Sequence, residues 1–228
     1  MIKVLKLKLF QETACYKKPF AFKAGETYPL PPYATVKGMI HYILGANEYI
    51  PMSISIQGDY ENKFENYQTM YFFKDKEEDT TKMPLNTHLL FNIRLVIHIN
   101  ADEKILEDIL NAFKNLEEHL SIGRKEDIVR IDEVKYVEVN TYSPSDMEKA
   151  YVLARPMYIP EPIPEYVKGI NYRLNWKYEI VNNLRQWEKI NVKYVEAGEE
   201  ITEEDILLDN DIDSKTGLGD LVYFNTTL

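Results

Sequence analysis

The feature that most constrains the fold is a change of hydrophobic period between residues 88 and 120. One face of residues 88–99 is apolar at alternate positions, namely Leu89, Phe91, Ile93, Leu95, Ile97 and Ile99. The spacing then becomes helical, and the buried stripe consists of Ile105, Leu106, Ile109, Leu110, Phe113, Leu116 and Leu120. A period of two predicts a strand and a period of 3.6 predicts a helix. We therefore predict a long strand and then a helix of about five turns that opens on a capping box of Asn100 and Glu103.

The same succession occurs earlier in the chain. Residues 2–10 alternate as a half-buried strand, and a helical stripe follows at Val36, Met39, Ile40, Ile43 and Leu44, with Thr35 as its cap. Short strands are predicted at 53–57 and 67–73 with a turn or hairpin between them, and a further strand at 128–139. The resulting order predicts an α+β, ferredoxin-like βαββαβ domain of the RRM/RAMP kind, with both helices on one face of an antiparallel sheet.

Prolines change the character of the chain after residue 144. They stand at Pro156, Pro160, Pro162 and Pro164, and the helical periodicity fades. Strands are predicted around Trp187–Tyr194 and Leu221–Phe224. We therefore expect a ferredoxin-like domain over 1–144, with a hairpin or thumb insertion, and a small β-rich C-terminal lobe over 145–228.

The charge is unevenly distributed, although the net value is −10. Residues 1–48 carry seven lysines against three glutamates, whereas residues 196–213 carry nine acids and no Lys or Arg. This favours a local basic N-terminal face over bulk electrostatic binding of nucleic acid. No apolar run is long enough for a membrane span, there is no signal-peptide pattern and only one cysteine, so a cytoplasmic protein without membrane partners is expected.

The loop before the first helix mixes cations with flat rings. Tyr16, Lys17, Lys18, Phe20, Phe22 and Lys23 precede a double proline and the helix N-terminus. Single-stranded nucleic acid is bound by such mixtures, with phosphates on lysines and bases on rings, and a helix N-terminus adds free N–H groups for an anion. A solvated edge with a few inward rings remains the alternative reading.

Two segments resemble a known family. The run ACYKKPFAFKAGETYPLPPYATVKGMI at 14–40 and the segment LSIGRKED at 120–127 are similar to CRISPR-associated Cas family five. That family is the RAMP-type subunit of type I Cascade complexes, and the similarity is greatest to its type I-B branch. The resemblance covers most of residues 1–140 and weakens beyond Pro156.

The resemblance implies an antiviral-defence subunit that caps the 5′ handle of the CRISPR guide RNA (crRNA), without cofactor or metal. Its implied partners are the backbone family-seven subunit and the large subunit, and it further admits target DNA near the PAM. The loop 74–86, or the hairpin before it, is the expected thumb against a neighbouring subunit. The expected handle contacts are Tyr16, Lys17, Lys18, Lys23, Tyr33, Lys37, His41, Arg124 and Lys125.

Two alternatives stay open. The first is a metal-independent endoribonuclease that processes CRISPR repeat RNA, in which His41, Tyr42 and Lys37 together would supply the acid, the base and the cation, without a role assigned to each. The second is a general single-stranded RNA-binding module outside CRISPR. Motifs for zinc hydrolysis, nucleotide hydrolysis and serine hydrolase chemistry are absent from the sequence.

Overall fold

The computed structural model describes residues 1–21, 24–73, 80–143, 150–202, 205–212 and 217–225, which form a mostly antiparallel sheet with two helices. This agrees with the predicted α+β class. The first elements are β1 (Ile2–Ala14), β2 (Ala24–Gly25), α1 (Tyr33–Ile43), β3 (Ser53–Asp59), β4 (Asn62–Phe72), β5 (Thr81–Asn100), α2 (Glu103–Lys114) and β6 (Arg130–Tyr142). The later ones are β7 (Tyr151–Val152), β8 (Met157–Pro160), β9 (Ile170–Val181), β10 (Leu184–Val195), β11 (Glu200–Ile201), β12 (Ile206–Asp209) and β13 (Leu221–Val222).

Eleven of these strands share one hydrogen-bonded sheet. Its main path runs β13-β12-β6-β1-β5-β3-β8-β10-β9, while β2 and β4 pair with β5 beside it and β7 pairs with β11 separately. The later strands thus extend the sheet at both edges, beside β6 and beside β3. The domain boundary at residue 144 remains a prediction.

The alternation along β1 places a core on each face of the sheet. Leu5, Leu7 and Leu9 pack with the buried faces of α1 and α2. On the other face, Val4 packs with Val222 of β13. Because successive side chains of a strand point to opposite faces, Lys6 and Lys8 lie on the same face of the sheet as Val4.

Both helices differ from prediction at their ends. α1 begins at Tyr33 after Pro32, with no side-chain cap bond, so Thr35 lies inside the first turn and is not the cap. The N-cap of α2 is Asp102, because Asn100 is still paired with Ser53 in the sheet, and the predicted capping box is wrong. α2 ends at Lys114, so it is shorter than predicted.

The longest strand also extends further than predicted. Residues 81–86 belong to β5 and pair with β4, so they are not the predicted charged loop. Residues 74–79 of that loop lie outside the described residues. The predicted turn at 58–66 is a short break between β3 and β4, which pair in series with β5. β4 and the first half of β5 therefore form the hairpin.

The lysines of β1 do not form the predicted basic face. Lys3 bonds Glu103 at 3.0 Å, and Lys8 bonds Glu133 at 2.9 Å. Lys6 is buried among carboxylates of the acidic C-terminal segment, which therefore binds the sheet and is not merely a solvated loop. Within the described residues no helix is long and apolar enough to cross a bilayer.

Candidate nucleic-acid interface

α1 is the element around which the candidate interface is built. Its inward face carries Val36 and Ile40 into the core with both side chains fully buried. Its outward face carries Ala34 and Gly38, which line a depression together with residues of β9 and β10. The helical period thus separates a packing face from a face that forms a surface groove.

Three adjoining depressions lie on this surface, and residues of α1 line the second and the third. The first is lined by Cys15, Lys17, Gln68, Leu85, Thr87 and Arg124. The second is lined by Lys17, Tyr28, Pro32, Thr35, Asn175 and Trp187. The third is lined by Ala34, Lys37, Gly38, Tyr49, Tyr178 and Trp187. Lys17 borders the first two, and Ala34 and Trp187 border the last two. We call the combined feature the α1 groove.

Lys17 lines this groove, and Lys18 is its neighbour in the sequence. Lys17 is exposed and is held by a backbone bridge to Thr27. The Lys18 ammonium lies 3.4 Å from a Glu26 carboxylate oxygen and 5.9 Å from the centre of the Tyr28 ring. Partly exposed ion pairs of this kind are weak, so both cations remain available to an anion. Lys23 lies outside the described residues.

Tyr16 and Tyr33 do not reach the groove surface. Tyr16 is 1% exposed, and its hydroxyl donates to the Gln11 amide oxygen at 2.6 Å. Tyr33 is fully buried and packs edge-on against Trp176, with ring centres 5.5 Å apart. The structure therefore places both rings in the core, away from any surface on which a base could stack. Their contribution is to support the groove from below.

Lys37 is the unusual cation of the groove. Its ammonium lies 3.0 Å from the centre of the Trp176 ring and donates to the Tyr49 hydroxyl at 2.9 Å. Burial, helped by the charge of Lys177 and opposed by Glu188, lowers the pKa of Lys37 to about 7. Contacts with the rings favour the charged form and offset part of that burial cost.

His41 has both ring nitrogens in use. Its Nε2 accepts the backbone N–H of Ile50 at 2.9 Å, so Nδ1 carries the proton and donates to the Lys37 carbonyl at 2.8 Å. Tyr42 donates its hydroxyl to Glu118 at 2.8 Å. Two of the three ribonuclease candidates, Lys37 and His41, therefore line the same depression and both contact Tyr49. Tyr42 is not part of that group, because it bonds the segment after α2.

Arg124 organises the loop between α2 and β6. Its guanidinium donates to the buried Asp127 at 2.6 Å and to the Gln68 amide oxygen at 3.0 Å. Asp127 also accepts the backbone N–H of Cys15 at 2.9 Å, which joins this loop to the end of β1. Gly123 has φ +111°, and a Cβ there would lie 2.7 Å from Asp127, so the position requires glycine.

The predicted roles of Arg124 and Lys125 therefore differ in the structure. Most N–H donors of Arg124 are already hydrogen-bonded within the protein, and the bond to Gln68 holds the loop against β4. Lys125 has an exposed side chain, and its two neighbours in the sequence, Arg124 and Glu126, both line the first depression. The neighbouring lysine is thus the more accessible cation of the two.

The hairpin of β9 and β10 was missed as part of the site. Trp176, Tyr178 and Ile180 occupy alternate positions of β9, and Arg185 and Trp187 face them on β10. Trp187 was assigned only to a strand. The signal was present, because the alternation of aromatic residues over 172–180 predicts one ring-bearing face and Asn182-Asn183 suits a tight hairpin turn.

Fold and groove together define an α+β protein with a basic and aromatic surface cleft. The family model described as "CRISPR-associated protein (Cas_Cas5)" matches residues 4–185. The chain therefore belongs to this family of CRISPR-associated proteins. A comparison with curated proteins finds no match.

Several solved structures are similar to the chain. One, titled "CRISPR RNA-guided surveillance complex", is 13% identical with a TM-score of 0.60, covering 86% of this chain and 91% of that chain. A "Crystal structure of Cas protein" is 14% identical with a TM-score of 0.48, covering 89% and 98%. A CRISPR protein from Archaeoglobus fulgidus is 11% identical with a TM-score of 0.44, covering 97% and 99%. At such identities the first similarity supports the shared fold alone.

Proposed function

We propose that this chain is an RNA-binding subunit of a CRISPR effector complex of the type I Cascade kind, and that its α1 groove holds the 5′ handle of the guide RNA. The family match supports a role in CRISPR. The observation that carries the proposal is the groove itself, which joins the exposed Lys17, aromatic rings and the N-terminus of α1 in one continuous surface.

The second depression has the chemistry of a phosphate site. Pro32 and Thr35 at the N-terminus of α1 line it opposite Lys17. The helix dipole and the free N–H groups of the first turn favour an anion there, and Lys17 adds a full charge. The chain as a whole is acidic, so we infer that it grips RNA locally and that its other surfaces repel it.

The remaining predicted contacts fit this proposal in different ways. Lys18, Lys23, Lys37 and Lys125 are retained as cations for the handle, and Arg124 becomes the residue that positions Lys125. We further infer that the core is ferredoxin-like, because the strand order β6-β1-β5-β3 with α1 and α2 between strands matches βαββαβ connectivity. The type I-B assignment remains a prediction.

The hairpin of β4 and β5 is our candidate thumb toward a neighbouring subunit. Its exposed rings include Tyr67, Tyr71 and Phe73, and exposed aromatic groups of this density mark interaction surfaces. The expected partners are the family-seven backbone subunit and the large subunit. Target DNA near the PAM is the further contact that a handle-capping subunit would be close to.

The test compares binding of labelled CRISPR repeat RNA and of a scrambled RNA across a salt series. Lys17→Glu combined with Lys125→Glu should weaken handle binding at physiological salt by at least tenfold and reduce the salt dependence, since each lost phosphate contact lowers the slope by about one. Lys104→Glu with Lys114→Glu on α2 is the matched control, because it makes the same charge change away from the groove. Arg124 is left intact, since reversing its charge would disrupt the Asp127 contacts.

Equal loss in both double variants, or handle binding no stronger than scrambled RNA, would contradict the proposal. The same reactions run in EDTA test the ribonuclease alternative. A discrete cut that disappears in His41→Ala would establish a processing enzyme, whereas the engaged nitrogens of His41 lead us to expect binding without cleavage.

A further inference from the structure

The third depression of the α1 groove is a cup with aromatic walls. Tyr178 and Trp187 face each other across the β9–β10 hairpin, with ring centres 5.1 Å apart and planes at 61°. The Arg185 guanidinium lies 4.7 Å from the centre of the Tyr178 ring. Tyr49 closes the opposite side, stacked on His41 at 5.9 Å. Tyr49, Tyr178 and Trp187 are 45%, 42% and 37% exposed, so their faces are accessible.

The floor of the cup is formed by small residues of α1. Ala34 and Gly38 lie one turn apart and both line it. A Cβ placed on Gly38 would meet nothing within 4 Å, so the space above this glycine is open. The cup measures about 520 Å³, which is within the range of sites for small molecules. One flat ring system of nucleobase size can therefore enter.

The charges around the cup select the kind of occupant. The cup is lined by the cations Lys37, Lys177 and Arg185. Among the described residues, Glu48 is the one carboxylate that lines it. Lys177 is offset by Glu188 at 3.1 Å, whereas Lys37 is surrounded by rings. Cationic donors beside ring faces suit a group that has a π face and hydrogen-bond acceptors, and a nucleobase with its phosphate has both.

We propose that this cup binds one unpaired nucleobase of the guide RNA, stacked on the Tyr178 and Trp187 rings, with the adjoining phosphate near Arg185. The inference rests on the proposed function, because the cup continues the surface that holds Lys17 and the N-terminus of α1. It adds a base-binding position that phosphate contacts alone do not supply. A peptide of a neighbouring subunit is the competing occupant, and the experiment separates the two.

Tryptophan fluorescence reports on this site directly. The chain has two tryptophans, Trp176 and Trp187, and both line the cup. Titration of the full chain with handle RNA should quench their emission, with a midpoint equal to that of binding measured by anisotropy of labelled RNA. Scanning 2-aminopurine through the handle should find one position at which the analogue is quenched by the protein.

Variants then fill or strip the cup. Gly38→Leu should weaken handle binding on the order of tenfold and abolish the quenching, because the leucine occupies the space of the base. Asn111→Leu, which adds the same side chain to the exposed face of α2, is the matched control and should bind as the wild type does. Trp187→Ala should weaken binding, and Trp187→Phe, which keeps a ring, should restore most of it.

The outcomes distinguish this inference from the proposed function. RNA that binds with unchanged tryptophan emission and equal affinity for Gly38→Leu would overturn the cup while leaving the lysine contacts intact. Emission that changes only when neighbouring subunits are added would overturn it in favour of a protein contact. Wild-type protein that fails to bind the handle would overturn both. Thermal unfolding of each variant confirms that lost binding reflects a folded protein.

Discussion

Lys6 and Lys37 are both buried lysines, one on each face of the sheet, and their surroundings are opposite. Lys6 is 1% exposed and bonds Asp209, Asp211 and Asp220 at 2.6, 2.8 and 2.8 Å. Lys37 is 3% exposed, and its close contacts are the Trp176 ring and the Tyr49 hydroxyl. Burial acts to lower both pKa values, but the carboxylates raise that of Lys6, whereas that of Lys37 falls to about 7.

This difference shows what each face is built for. The charge of Lys6 is matched by the chain itself, and Asp209 is further bonded to His98 at 2.8 Å, so the cluster fastens the C-terminal strands to the sheet. The charge of Lys37 is matched only weakly inside the protein. A buried cation without a carboxylate is costly, and an anionic ligand in the adjacent cup would supply what is missing.

Removal of the Lys6 charge should have the largest effect. Lys6→Met leaves three carboxylates clustered around an apolar side chain, and loss of one partner from a buried ionic group costs about 3–5 kcal/mol. We expect this loss in the free energy of unfolding measured with urea at pH 7. Lys3→Met, which breaks the exposed bond to Glu103, should leave it almost unchanged. Similar losses in the two variants would contradict the distinction between the faces.

Lys37→Met should move stability in the other direction. Because its pKa is about 7 in the folded protein and 10.5 as a free side chain, the folded state binds fewer protons than the unfolded state between these values. Wild-type stability should therefore rise with pH across this window, on the order of 2–3 kcal/mol between pH 6 and pH 9.5, relative to the variant.

The measurement is the free energy of unfolding in urea, determined as a function of pH for the wild type and for Lys37→Met. Below pH 7 the methionine variant should equal or exceed the wild type in stability while it binds handle RNA more weakly, which is the pattern of a site that trades stability for binding. Parallel curves for the two proteins would show that Lys37 stays charged throughout and that its burial is compensated within the chain.

Asp211→Asn tests the cluster from its acidic side with a smaller effect. Asp211 accepts bonds from Lys6, Lys8 and Lys135, which overcome the effect of partial burial and hold its pKa below the ordinary 3.8. A lowered carboxyl pKa stabilises the folded state above the unfolded pKa, and this contribution is lost as pH falls. The substitution should cost about 1–2 kcal/mol at pH 6 and progressively less as the pH falls below the unfolded pKa, as measured by thermal or urea unfolding. A cost that does not depend on pH would point to lost packing.

Much of the core could be predicted because period alone specifies it. The stripes of residues 36–44 and 105–113 predicted both helices, and the alternation of 88–99 predicted the centre of β5. The ends of the helices were harder to predict from the sequence. Leu116 and Leu120 pack on the core although they lie outside α2, so these apolar residues extended the predicted helix beyond Lys114, where it ends.

The site was only partly predictable, for a physical reason. Residue type indicated cations and rings near α1, but it could not separate exposed Lys17 from buried Tyr16 and Tyr33, since burial depends on strands that join from elsewhere in the chain. The cup depends on β9 and β10, which are more than a hundred residues from α1 in sequence and meet it through the sheet. The order of strands in the sheet brings these elements together, and the local sequence pattern carries no information about that order.

Gly38→Ala should have the smallest effect and connects stability with the cup. Glycine inside a helix is less favourable than alanine by about 0.8–1 kcal/mol, and at Gly38 no neighbouring group opposes a methyl group. The alanine variant should therefore unfold at a higher urea concentration than the wild type, and its free energy of unfolding should rise by at most about 1 kcal/mol.

A glycine that costs stability where alanine would fit suggests that the space above it is needed. Handle binding should accordingly weaken slightly in Gly38→Ala and strongly in Gly38→Leu, so that affinity falls with side-chain volume while stability rises at the first step. If Gly38→Ala is instead less stable than the wild type, the cup is closed in solution. The two faces of the sheet would then differ in their packing and not in an open binding position.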